Sequence, residues 1–274
     1  MRTLVTEYKR MFFEKKIIWL LITTVIYVTV CSLFWNLRNK LDYDYVELHY
    51  KISAFKLWQE TIHESYMTTL LKIIPCMVCV FSFMDDRKNG IDSQICMRSH
   101  SNIYYMTKYI VSITGGMLYN FLSVILIYIP LYFLLSTGND GWNYLDRDGA
   151  LVGKFFTGDT AVEFVLIIAV GYAFVGGVCA AMSYVISMWI DNRVLVCIIP
   201  YTIFQILPSV FLIMDLYTKS ETLSNIIHGI ILGDIDVYMD YFTFSYFIYY
   251  FIGWLLLLSI LLIVSYKIRV KNKR

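Results

Sequence analysis

The sequence predicts an all-α, polytopic membrane protein, and three observations carry that expectation. Hydrophobic residues make up 58% of the 274 and charged residues only 16%, with a mean hydropathy of +0.61. A soluble domain of this length cannot bury so much apolar surface in one core. Apolar blocks long enough to cross a bilayer, at ~20 residues per helix, fall at Ile17–Trp35, Tyr66–Met84, Tyr109–Leu135, Ala161–Trp189, Val194–Met214 and Phe247–Tyr266. Basic residues gather before the first block and after the last, as they do on the cytoplasmic side of membrane proteins.

The elements follow in chain order. Leu4, Tyr8, Met11 and Phe12 share a helical face, with Glu7, Arg10 and Glu14 elsewhere around it. This predicts a short amphipathic helix lying in the cytoplasmic headgroup layer. The first span is too long for a signal-peptide core and lacks a small-residue cleavage site. The loop from Asn36 to Ser65 is rich in Tyr, Trp and charge, and is expected to be external and partly ordered. The third and fourth spans exceed the crossing length, so they tilt or continue as helix into the cytoplasm. In the fourth, Ala169, Ala173, Gly177 and Ala181 form a smooth stripe that invites close helix packing within the chain. Pro200 and Pro208 remove backbone donors from the fifth span and are expected to kink it. Leu223, Ile226, Ile227, Ile230 and Ile231 predict a short external helix, stopped at Gly233. No repeat or low-complexity linker interrupts residues 1–274, which read as one domain.

Charge sets the expected topology. Arg2, Lys9, Arg10, Lys15 and Lys16 precede the first span, and Lys267, Arg269, Lys271, Lys273 and Arg274 follow the sixth. Both termini are therefore expected in the cytoplasm, which agrees with six spans. The clusters read as topology and lipid-headgroup anchors, and no nucleic-acid role is expected. Lys72 and Glu163, near span ends, are expected to snorkel to the interface. The span centres offer uncharged polar groups such as Thr23, Thr24, Asn120, Ser123, Ser183 and Gln205. An ion-coupled pump would need ionisable residues there.

Other chemical signals are weak. Cys31, Cys76, Cys79, Cys179 and Cys197 lie in spans and Cys96 in a cytoplasmic loop, so no external disulfide framework is expected. Cys76-x-x-Cys79 has a redox spacing but no partner thiols at the membrane surface. Gly149 to Lys154 is one residue short of a phosphate loop, and Phe155 replaces the required hydroxyl residue. Glu60-x-x-His63 has a metal-ligand spacing without a second ligand pair, so no metal is expected. Hydrolase signatures of recognisable type are absent from the sequence.

The most informative stretch is a polar island between the second and third spans: Asp85-Asp86-Arg87-Lys88-Asn89-Gly90, running on through Arg98, Ser99, Tyr104 and Lys108. Its basic residues place it in the cytoplasm. Ile91 and Ile95 share a helical face and have the character of a docking ridge, with Asp85, Asp86, Arg87 and Arg98 as charges fixing register. Exposed Ile and Met without a partner would be a liability.

The motif Phe83-x-Asp85-x-Arg87-x-x-Gly90, then Arg98-Ser99, then Tyr104 and Lys108, resembles the acid–glycine–arginine–tyrosine–lysine spacing of the type-2 permeases of ATP-binding-cassette exporters. The order of amphipathic helix, six spans, structured second-to-third loop and short helix before the sixth span is similar too. The resemblance implies a membrane subunit with no cofactor and no ATPase site of its own. ATP and magnesium would bind a separate nucleotide-binding subunit docked on Asp85, Asp86, Arg87, Gly90, Ile91, Ile95, Arg98, Tyr104 and Lys108. It also implies pairing with a second permease subunit, identical or related. The translocation path would lie between them, lined from the second and fifth spans by Thr68, Thr69, Phe81, Tyr201, Thr202, Gln205 and Phe211.

An uncharged, aromatic and threonine-lined path suits amphipathic or hydrophobic cargo, with an antimicrobial peptide as the first candidate and the bacterial plasma membrane as the expected location. Two other readings stay open from the sequence. One is a non-transporting sensor or immunity subunit; the other is a membrane thiol oxidoreductase using Cys76 and Cys79.

Overall fold

The computed structural model describes residues 2–13, 15–42, 54–63, 65–98, 101–134, 161–218 and 244–269. These residues form helices α1 (Arg2–Phe13), α2 (Lys15–Asp42), α3 (Ala54–His63), α4 (Ser65–Lys88) and α5 (Ile91–Arg98). They continue as α6 (Ser101–Leu134), α7 (Ala161–Ser187), α8 (Arg193–Thr218) and α9 (Phe244–Arg269). No strand occurs among the described residues. Among the described residues, five helices are long and apolar enough to cross a membrane: α2, α4, α6, α7 and α9. This is the make-up of a multi-pass membrane protein. The expected fifth span falls on α8, a 26-residue helix running through both Pro200 and Pro208, with an apolar Arg193–Ile206 stretch.

Packing follows from side-chain size. α7 is buried along most of its length, whereas α2 and α9 leave most of theirs exposed. α7 lies against α6, where Gly116 and Gly176 bring the backbones together. A Cβ on Gly176 would stand 2.5 Å from the Gly116 carbonyl oxygen. Of the small-residue stripe, Ala169, Ala173 and Ala181 are buried, and a Cβ on Gly177 would stand 2.6 Å from Met117 Cγ. The stripe's neighbours are thus within the chain.

α3 shows why part of the long first loop is ordered. Ala54, Leu57, Trp58, Thr61 and Ile62 recur at helical spacing and are all buried. Trp58 donates from Nε1 to the Val124 carbonyl at 3.1 Å and meets Tyr128 edge to face. This places α3 against α6, away from α5.

The third expected span begins earlier than its apolar block, at Ser101 rather than Tyr109. Its added turns carry Tyr104, Tyr105 and Lys108 inward, all buried. Lys72 departs from expectation as well: it is only 3% exposed rather than snorkelled. The expected helix at 223–231 and the Gly149–Lys154 stretch lie outside the described residues, as do the side chains of Glu163, Cys79, Cys96, Arg98 and Phe211.

Candidate functional site

The end of α4 turns sharply into α5. Asn89 N–H donates to the Asp85 carbonyl at 3.0 Å and Gly90 N–H to that of Arg87 at 3.2 Å. Gly90 sits at φ 69°, the left-handed region that glycine enters without steric cost. Gln94 N–H returns to the Gly90 carbonyl at 3.4 Å and opens α5. The polar island is therefore a second short helix set across a tight bend.

Directly beside this bend lies a buried charge cluster. Lys108 Nζ is 2.8 Å from Asp86 Oδ2 and 2.5 Å from Glu7 Oε2. Arg10 grips Asp86 with both guanidinium nitrogens, at 2.8 and 3.1 Å, and lies 3.5 Å from Glu7. Tyr104 donates its hydroxyl to Asp86 at 3.4 Å. Asp86 is 1% exposed and Lys108 4%. Two acids and two bases cancel, which is how charges tolerate burial. The cluster joins α1, the last turn of α4 and the first turns of α6. Tyr8 adds a hydroxyl contact to Thr114 at 2.7 Å, so the turn of α1 from Glu7 to Arg10 is fastened to α6 and α4.

A second, more open cluster ties α4 to the α7–α8 turn. Asp85 pairs with Arg193, and Arg87 with Asp191. Arg87 also donates to the Ser187 carbonyl at 2.9 Å and the Met188 carbonyl at 3.4 Å, capping the end of α7. Asn192 caps α8, its Oδ1 accepting the Val194 N–H at 2.9 Å. The Arg193 guanidinium stands 5.4 Å from the Phe81 ring centroid. On the α9 side, Ser101 and Tyr266 share a 2.6 Å hydroxyl bond, and Trp189 Nε1 donates to Ser265 Oγ at 2.7 Å. The α5 end thus gathers α1, α4, α6, α7, α8 and α9.

The expected docking residues divide into two sets. Asp85, Asp86, Arg87, Tyr104 and Lys108 engage their own chain, and Ile95 packs against the main hydrophobic cluster. Each of these side chains has a partner within the chain, with Asp86, Tyr104 and Lys108 buried and Asp85, Arg87 and Ile95 partly exposed. Ile91 and Gly90 are half-buried at the bend, while Lys88, Asn89 and Gln94 are exposed.

Of the expected path residues, the structure brings Thr69, Tyr201 and Gln205 together. Tyr201 Oη lies 3.4 Å from Thr69 Oγ1 and accepts from Gln205 Nε2 at 3.4 Å. Thr202 instead donates to its own helix, to Ile198 O at 2.6 Å, and Thr68 is buried. Cys76, the described member of the Cys-x-x-Cys pair, is fully buried, with its thiol on the Lys72 carbonyl at 3.2 Å. No group of three or more metal-ligating side chains occurs among the described residues.

No family model, curated protein or solved structure matches the chain.

Sequence reasoning passed over Glu7, Arg10, Asp191 and Arg193 as site residues. For the last two a signal was present: Asp85-x-Arg87 and Asp191-x-Arg193 repeat the same pattern at two turns, and each acid meets the other's base.

Proposed function

We propose that this chain is the membrane-spanning subunit of an ATP-driven exporter, with six spans, cytoplasmic termini and a separate nucleotide-binding subunit seated at the α5 end. The observation that carries this reading is the position of Asp86. One carboxylate, in the last turn before the bend, holds α1 through Arg10 and α6 through Lys108. A force applied to α5 therefore reaches three helices through short, charge-assisted bonds, buried at Lys108 and part-buried at Arg10. Partner contact falls to the exposed Lys88, Asn89 and Gln94 and the outer side of the bend. Asp85, Asp86, Arg87, Tyr104 and Lys108 carry the movement inward, as a rigid-body transition of the bundle requires.

A second permease subunit completes the pathway in this proposal, and the Thr69–Tyr201–Gln205 chain between α4 and α8 lines its polar part. The cargo is amphipathic or hydrophobic, with a peptide as the first candidate. The test is purification of the tagged chain from its native membrane. The proposal expects an ATPase subunit to co-purify, ATP-dependent cargo movement in vesicles, and loss of both when Gly90, Ile91 and Arg98 are replaced. Cargo retention without any ATP requirement would favour a sequestering immunity subunit instead.

A further inference from the structure

Pro75 lies inside α4 and has no N–H, so the Leu71 carbonyl four residues earlier has no helical donor from that position. In a membrane-spanning helix such a carbonyl is commonly satisfied by a neighbouring helix. Here the donor is Asn120 of α6. Its Nδ2 gives one proton to Leu71 O at 2.8 Å and the other to Tyr172 O of α7 at 3.0 Å. Asn120 is 0% exposed. Turning its amide over would set Oδ1 against two carbonyl oxygens, so the chemistry fixes the orientation. The notch it occupies exists because residue 176 is glycine: a Cβ there would stand 2.6 Å from Nδ2.

We infer that Pro75 and Asn120 form a hinge and latch in the second span. Pro75 breaks the α4 ladder between an inner half, fastened at the α5 end by Asp85, Asp86 and Arg87, and an outer half that carries Thr68 and Thr69. Asn120 holds the outer half to α6 and α7 across that break. The latch opens by releasing one side chain, without unmaking the helical hydrogen bonds on either side. It rests on backbone chemistry and stands whether or not the exporter reading does.

The chain contains a single Leu–Lys pair, Leu71-Lys72, so carbonyl-13C leucine with 15N lysine labels one peptide bond in the full-length protein in bilayers. Asn120→Leu is expected to move the Leu71 carbonyl resonance toward that of an unbonded carbonyl. Pro75→Ala supplies a new N–H to the same oxygen. The fall in Tm caused by Asn120→Leu should therefore shrink to roughly half or less in a Pro75→Ala background, as residues sharing one partner are not additive. Should Asn120→Leu fail to fold alone, folding of the Pro75→Ala, Asn120→Leu double variant supports the latch and its failure overturns it. An unmoved Leu71 resonance, or additive Tm shifts, also overturns it.

Discussion

Lys108 reaches across from α6 to Asp86 in α4 at 2.8 Å, and the same ammonium meets Glu7 of α1. With both members of the α4–α6 pair nearly solvent-free, each depends on the other. Replacing either alone, as Asp86→Asn or Lys108→Met, leaves the cluster one charge out of balance. Each should cost about 3 kcal/mol, the low end for breaking a buried pair, because Glu7 still meets Lys108 and Arg10 still meets Asp86. The double variant Asp86→Asn, Lys108→Met leaves Glu7 with Arg10 and should cost much less than the two single costs together. Thermal unfolding in one detergent checks this, and additivity would contradict it.

Arg10 is the outward member of the cluster, with 38% of its side chain exposed. Its pairing is accordingly worth about 1 kcal/mol or less. Arg10→Ala should leave global stability nearly unchanged yet loosen α1. Amide exchange across residues 2–13 is expected to speed up while that of α6 stays constant.

The α6–α7 contact offers a sharper contrast. Gly176→Ala sets a methyl against the Gly116 carbonyl and the Asn120 amide, and should destabilise by about 1–3 kcal/mol or more. A Cβ at Gly253 meets nothing within 4 Å. Gly253→Ala should be neutral or stabilising by up to ~1 kcal/mol, through helix propensity alone. Paired melting curves decide between them.

Gly90 bends the chain into α5 at a positive φ. Gly90→Ala should cost roughly 1–2 kcal/mol, the left-handed penalty for a residue with a Cβ. Gly90→Asn should cost less, since asparagine visits that region more readily. The same order is expected for retention of an ATPase partner, measured by co-purification from native membranes.

Long-period features were legible in the sequence because hydropathy and length suffice for them. The apolar blocks match α2, α4, α6, α7, α8 and α9 closely, and the amphipathic amino-terminal stretch is α1. What hydropathy hides is pairing. Glu7 and Arg10 fell outside the apolar face, yet Glu7 is buried because Lys108, about a hundred residues away in the chain, neutralises it. Lys108 closed a polar loop in the sequence, whereas α6 starts at Ser101 and carries it into the interior. Ile95 had the look of a docking knob because periodicity cannot say whether an apolar face meets a partner or its own bundle. Asn120 stood out only as an uncharged span residue; its role depends on Pro75 in a different helix.

The most direct measurement places a photo-crosslinking residue at Gln94, exposed on α5, with a control at Phe133, exposed at the far end of α6. Irradiation of native membranes followed by labelling with 8-azido-ATP reads the partner's chemistry. The account predicts a Gln94 adduct that takes up the nucleotide label, and none at Phe133. Adducts at Gln94 without a nucleotide-binding partner, in membranes where the chain is active, would contradict it.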